Sequence, residues 1–161
     1  MMIKNARRTA VALALVAFGA VTAQAQTQTV AFSVSAINQI AFTGTPTLAI
    51  TTATAGLNPT PATDASARWA VTTNTNGAKV TASIATVMPT GLTLSAGLAQ
   101  PTGGSTAGLQ ALGTTAVDLV TGISYLAEGA LVVTYKLDAL PTAVAVASGS
   151  KIVTYTIVSG T

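Results

Sequence analysis

At 161 residues the chain is sized for one domain behind a leader, and only 7% of it is charged, with no histidine and no cysteine. Those absences exclude disulfides, thiolate metal sites, cysteine nucleophiles, a lipid-modified cysteine and the commonest general base. The formal net charge of +3 belongs to Lys4, Arg7 and Arg8; the rest of the chain sets Arg68, Lys79, Lys136 and Lys151 against Asp64, Asp118, Glu128 and Asp138, so no basic surface for nucleic acid or anionic lipid is expected.

Residues 1–25 have the three parts of a secretory signal: a basic start, an apolar stretch from Ala10 to Ala20, and the small-x-small site Ala23-Gln24-Ala25. That stretch falls short of the roughly 20 apolar residues a transmembrane helix needs. The reading predicts removal of 1–25, no membrane span in the mature chain, and a single domain over 26–161. The destination expected is the extracellular medium or cell surface of a bacterium, reached through the periplasm.

From residue 28 to 42 the chain predicts one long strand. Every second position from Val30 is apolar, through Phe32, Val34, Ala36, Ile40 and Phe42, with one break at Asn38. The stretch contains no charge and no proline, the usual devices for protecting a strand edge. It is therefore either the first strand of its own domain or a strand lent to a neighbour, and the residues leave both open. The candidate assembly face is Val30, Phe32, Val34, Ile40 and Phe42.

The same period of two continues downstream. Alternation predicts strands at Leu48 and Ile50, at Ala67, Trp69 and Val71, at Val80, Ala82 and Ile84, and at Leu92, Leu94 and Ala96. Further strands are predicted around Val117, Leu119, Ile123 and Tyr125, then Leu131, Val133, Tyr135 and Leu137, then Val144 and Val146, and last Val153, Tyr155 and Ile157. Asn76-Gly77 between two such runs predicts a type I′ hairpin. Residues 58–66, Met88 to Gly91, Gln100 to Thr106 and Leu140-Pro141 read as loops. Strands at this spacing predict an all-β, immunoglobulin-like antiparallel sandwich of about 7–10 strands. The expected core is Trp69, Val71, Val80, Ile84, Leu92, Leu94, Leu119, Leu131, Val133, Tyr135, Val153, Tyr155 and Ile157.

The chemistry is sparse. The four acids stand singly along the chain, whereas glycoside hydrolysis needs two carboxylates about 5–10 Å apart. Calcium favours several oxygen ligands within one loop, and no loop here holds more than one acid. Trp69 shares a face with aliphatic neighbours and reads as core rather than as a sugar platform. An outer-membrane barrel would need aromatic girdles, for which 4% aromatic residues is too few. No enzyme activity, no metal and no cofactor are expected.

A leader, an extension carrying Val30, Phe32, Val34 and Ala36, and a closing strand of Val153, Tyr155 and Ile157 downstream of Gly149 together resemble secreted bacterial fimbrial or pilus-type subunits. The resemblance implies assembly by donor-strand complementation, in which the extension of one subunit fills a groove in the next. The function expected is that of a structural subunit of an extracellular fibre, coat or matrix, with itself or another β-sandwich subunit as partner. The alternative is a secreted adhesin or binding module that presents loops such as Gln100 to Thr106 to a glycan or protein.

Overall fold

A computed structural model describes residues 24–160. Apart from Gln24 and Ala25, the expected leader lies outside the described residues. Residues 24–33 belong to a unit separate from the body and are without strand and exposed; the body begins at Val34. No helix occurs among the described residues, and so none is long and apolar enough to cross a membrane.

The body is an antiparallel β-sandwich. Its ten strands are β1 (Asn38–Thr43), β2 (Ala62–Asp64), β3 (Arg68–Thr73), β4 (Ala78–Ile84), β5 (Leu92–Leu98), β6 (Ser105–Thr106), β7 (Gln110–Ala111), β8 (Val117–Ile123), β9 (Leu126–Ala139) and β10 (Val153–Val158). One sheet runs β1-β3-β9-β5-β7, with β2 also beside β9; the other runs β10-β4-β8-β6. Successive side chains of a strand point to opposite faces, which is why alternating sequence builds a two-layer core. Trp69, Val71, Leu94, Ala96 and Val133 from the first sheet join Val80, Ala82, Ile84, Leu119 and Ile123 from the second in one cluster. Each large aliphatic side chain closed off there stabilises by about 1.5–3 kcal/mol, and no disulfide supplements them. Leu92, Leu131, Tyr135, Val153, Tyr155 and Ile157 are half-buried.

Strand β9 has 14 residues, twice the length of β5 and more than twice that of β3. Its first half pairs with β3 and its second with β5, while β2 lies against Tyr135, Lys136 and Leu137. Where β3 passes β9 the register shifts between Trp69 and Val71, and opposite that shift Ala130 adopts φ +58°, a β-bulge. Bulges between β4 and β8 put the consecutive residues Leu119 and Val120 both inside.

Four expectations are corrected. The strand predicted over 28–42 is formed only at Asn38–Thr43, because residues 24–37 have no strand beside them to complete a ladder. Asn76-Gly77 is not a hairpin turn: β3 and β4 belong to different sheets, so the connection is an arch that crosses the sandwich. Only Gly77 takes positive φ, +72°, whereas a type I′ turn needs it at both central residues. The arch is held from outside, since Gly77 N–H donates to Ser124 Oγ, Ser124 Oγ–H to Asn76 Oδ1, and Tyr125 N–H to the Thr75 carbonyl. Tyr125, predicted to continue the strand of Val117, Leu119 and Ile123, lies outside it; it sits in the β8–β9 arch at φ +48° with its ring exposed. Leu48, Ile50, Val144 and Val146 lie outside any strand, since alternation supplies a face but not a neighbour to pair with.

Candidate assembly surface

The predicted assembly face divides at Asn38. Val30 is 74% exposed, Phe32 92% and Val34 78%. Ile40 and Phe42, on β1, instead pack against the body's core. Phe42 stacks on Tyr155 at 3.9 Å between ring centroids and on Trp69 at 6.4 Å. The five residues are therefore not brought together: two belong to the sandwich and three offer a large apolar row to solvent.

Two asparagines mark the division; the sequence showed Asn38 only as a break in the row and did not single out Asn74. Asn74 grips the incoming chain with both ends of its amide: Oδ1 accepts Ile37 N–H at 2.6 Å and Nδ2 donates to the Ser35 carbonyl at 2.8 Å. Its backbone N–H also donates to the Ile37 carbonyl. The Asn38 Oδ1 accepts from Thr73 Oγ1 and Thr75 Oγ1, and its Nδ2 donates to Ser159 Oγ near the other end of the body. A primary amide both donates and accepts, so a polar residue interrupting an apolar row was the only available signal, and it named no partner.

The two flanks of the sandwich are protected differently. On one, β6 and β7 are only two residues long, Pro101 is buried beside them, and Thr106 Oγ1–H donates to the Leu98 carbonyl. Very short edge strands leave little to pair with. On the other, β1 and β10 lie against one another through the Phe42–Tyr155 stack, and each is an edge with six residues, no charge and no proline. Tyr155 Oη–H donates to Tyr135 Oη at 2.8 Å, and burial first, then that hydrogen bond, pushes its phenol above the ordinary tyrosine range.

Beyond the last core layer lies a cleft of about 870 Å³. Leu92, Leu94, Tyr135 and Leu137 of β5 and β9 line it together with coil residues from the Pro46–Thr51 and Leu140–Lys151 stretches. Apart from Lys151, none of its lining residues is charged.

The carboxylates stand apart, each with its own partner. Asp64 accepts from Ser66 Oγ, Ser66 N–H and Thr47 N–H, and these bonds, led by the Ser66 hydroxyl, hold it below the usual carboxylate range. Asp118 meets Lys79 at 3.0 Å, Asp138 meets Lys136 at 2.8 Å, and Glu128 Oε2 accepts Thr102 N–H at 2.7 Å. Among the described residues no three metal-binding side chains cluster. Trp69 is 1% exposed, so it presents no surface to a sugar. Comparison of the chain with protein families, curated proteins and solved structures finds no match.

Proposed function

We propose that this chain is a non-enzymatic, exported structural subunit that builds an extracellular fibre, coat or matrix at a bacterial surface, having crossed the periplasm. Copies join by strand pairing, and Val30, Phe32 and Val34 are the row that each lends. One observation carries the reading: three large apolar side chains at alternate positions of a charge-free, proline-free segment stand 74–92% exposed. Leaving each in water forgoes about 1.5–3 kcal/mol of burial, and the backbone groups beside them have no ladder. Pairing with a second β-sandwich would satisfy both, by the same main-chain bonds that add a strand to any open edge. The edges at β1 and β10 carry no charge and no proline, which supports the reading.

Deleting residues 26–36, or substituting Phe32→Asp, is expected to convert filaments of the intact secreted chain into monomers, seen by light scattering and electron microscopy. Polymers of unchanged size from the deleted chain would refute the reading.

A second reading, an adhesin or glycan-binding module, rests on Tyr125. Among the body's described aromatic residues it alone is exposed, and its left-handed backbone is held beside Ser124 and Asn76. Unusual backbone conformations gather at binding sites. A glycan-array signal lost in Tyr125→Ala, from a protein monomeric at all concentrations, would favour it.

A further inference from the structure

We propose that the Asn76-Gly77 arch is a self-modifying site, at which the Ser124 hydroxyl relays a proton that drives loss of ammonia from the Asn76 side chain and leaves a carboxylate. The modification is independent of how copies assemble.

The reaction requires a backbone nitrogen to attack the side-chain amide carbon of the residue before it. Glycine, with no Cβ, shields that nitrogen least. Of the chain's five asparagines, Asn5, Asn38, Asn58, Asn74 and Asn76, only Asn76 is followed by glycine. Both residues are exposed, so water reaches them. From the β8–β9 arch, Ser124 is laid across the pair: Gly77 N–H donates to Ser124 Oγ at 2.9 Å, and Ser124 Oγ–H donates to Asn76 Oδ1 at 2.8 Å. A hydroxyl accepts and donates at once, so this one bridges the nucleophile's hydrogen and the oxygen of the carbonyl under attack. The serine proton has a second acceptor in the Gly122 carbonyl, but at 3.4 Å that bond is the weaker. Tyr125 N–H donates to the Thr75 carbonyl at 3.2 Å and keeps Ser124 opposite Asn76.

As Gly77 N bonds to Asn76 Cγ, its hydrogen passes to Ser124 Oγ while the serine hydrogen passes to Oδ1. Serine ends the step as a hydroxyl, and Cγ is now tetrahedral, bearing OH and NH₂. Positioned proton transfer is worth about 10²–10⁴ in rate, and the same hydrogen bond stabilises charge developing on Oδ1. Ammonia then leaves, its nitrogen taking the proton of that OH, and the carbonyl of a cyclic imide is restored. Water opens the imide at either carbonyl, giving aspartate or isoaspartate.

The other asparagines of the described residues are arranged differently. Pro59 offers Asn58 no N–H to transfer. Asn74 precedes the β-branched Thr75; its amide is engaged by Ile37 and Ser35, and Thr75 N–H donates to Thr73 Oγ1, away from that amide. Asn38 lies within β1 with its amide tied to Thr73, Thr75 and Ser159. Conversion of Asn76 changes residues 26–161 from four basic against four acidic side chains to four against five, a net charge of −1. In the isoaspartate the chain runs through the former side chain, and the Asn76 backbone carbonyl becomes the carboxylate. That carbonyl faces Gly160, where even a Cβ has no room beside it. The new charge therefore falls where the residues after β10, tied to Asn38 through Ser159, cross the arch.

The test incubates the full exported chain at mildly alkaline pH, digests it briefly with trypsin, and follows the peptide Trp69–Lys79 by mass spectrometry. That peptide carries Asn74 and Asn76 together, so the first serves as an internal control. The folded chain should convert at Asn76 on the order of tenfold faster than the same peptide made synthetically, with Asn74 unchanged. Ser124→Ala should slow the folded chain by on the order of tenfold, since solvent takes over part of the relay. Hydrogen exchange at Tyr125 N–H reports whether the arch stays closed in the variant. A folded chain no faster than the peptide would overturn the site, as would conversion at Asn74. An unchanged or higher rate in Ser124→Ala with the arch closed would overturn the relay; should the variant open the arch, the comparison of folded chain with peptide decides alone.

Discussion

Trp69 shows how a single residue can be central and imperfect at once. Its ring is 1% exposed and stacks with Phe42, but among the described residues its indole N–H has no hydrogen-bond partner. A buried donor left unpaired costs about 1–3 kcal/mol. Trp69→Phe removes that donor while keeping an aromatic ring against Phe42, so the lost volume and the relieved donor offset one another. Denaturant titration should show a loss of about 1 kcal/mol or less for Trp69→Phe, against about 3–5 kcal/mol for Trp69→Ala. A comparable loss in both would show that the indole N–H is satisfied in solution. The alternation of Ala67, Trp69 and Val71 made this burial readable in advance; the unpaired donor was not, because it depends on what other strands place opposite.

At the scale of elements, the amide of Asn74 decides where the first strand begins. Without its side chain, residues 35–37 lose two exposed hydrogen bonds, while the Asn74 backbone bond to Ile37 and the β1–β3 ladder stay. Asn74→Ala should lower stability by about 1 kcal/mol and speed hydrogen exchange at Ile37 far more than at Val71. Equal acceleration at both positions would mean that the clamp is part of the global fold rather than of its entrance. Most strands were legible because a period of two needs only the local sequence. What failed was pairing. Asn76-Gly77 has the chemistry of a tight turn in either setting, and whether it closes a hairpin or an arch depends on Ser124 and Tyr125, about 48 residues away in the chain. Val144 and Val146 failed for the same reason, having a strand's face with no strand beside it. Of the proposed assembly row, the apolar positions were plain, and only the break at Asn38 set Ile40 and Phe42, which enter the sandwich, apart from Val30, Phe32 and Val34.

For the molecule as a whole, Tyr155 ties the two sheets together. It lies on β10 of one sheet, stacks on Phe42 of the other and donates its hydroxyl proton to Tyr135 of β9. Its phenol pKa is raised in the folded state, by burial foremost. A raised acid pKa means that the unfolded chain loses its proton first, so the stabilisation is complete below the unfolded value of about 10 and declines as pH climbs past it. Thermal melts should therefore show the midpoint falling between about pH 9.5 and 11.5, and Tyr155→Phe should flatten that slope. An equally steep fall in the variant would assign the alkaline weakness to another group. The sandwich class was readable from strand spacing, whereas the difference between its two flanks was not, because edge position emerges only once every pairing is known.

The even charge ledger of residues 26–161, with each carboxylate engaged by a near neighbour, carries a kinetic corollary. Two copies approaching each other feel no long-range pull and no long-range push. Their encounter rate should sit near the unsteered range of about 10⁵–10⁶ M⁻¹s⁻¹ and stay there from dilute buffer to seawater, whatever ionic strength the surroundings set.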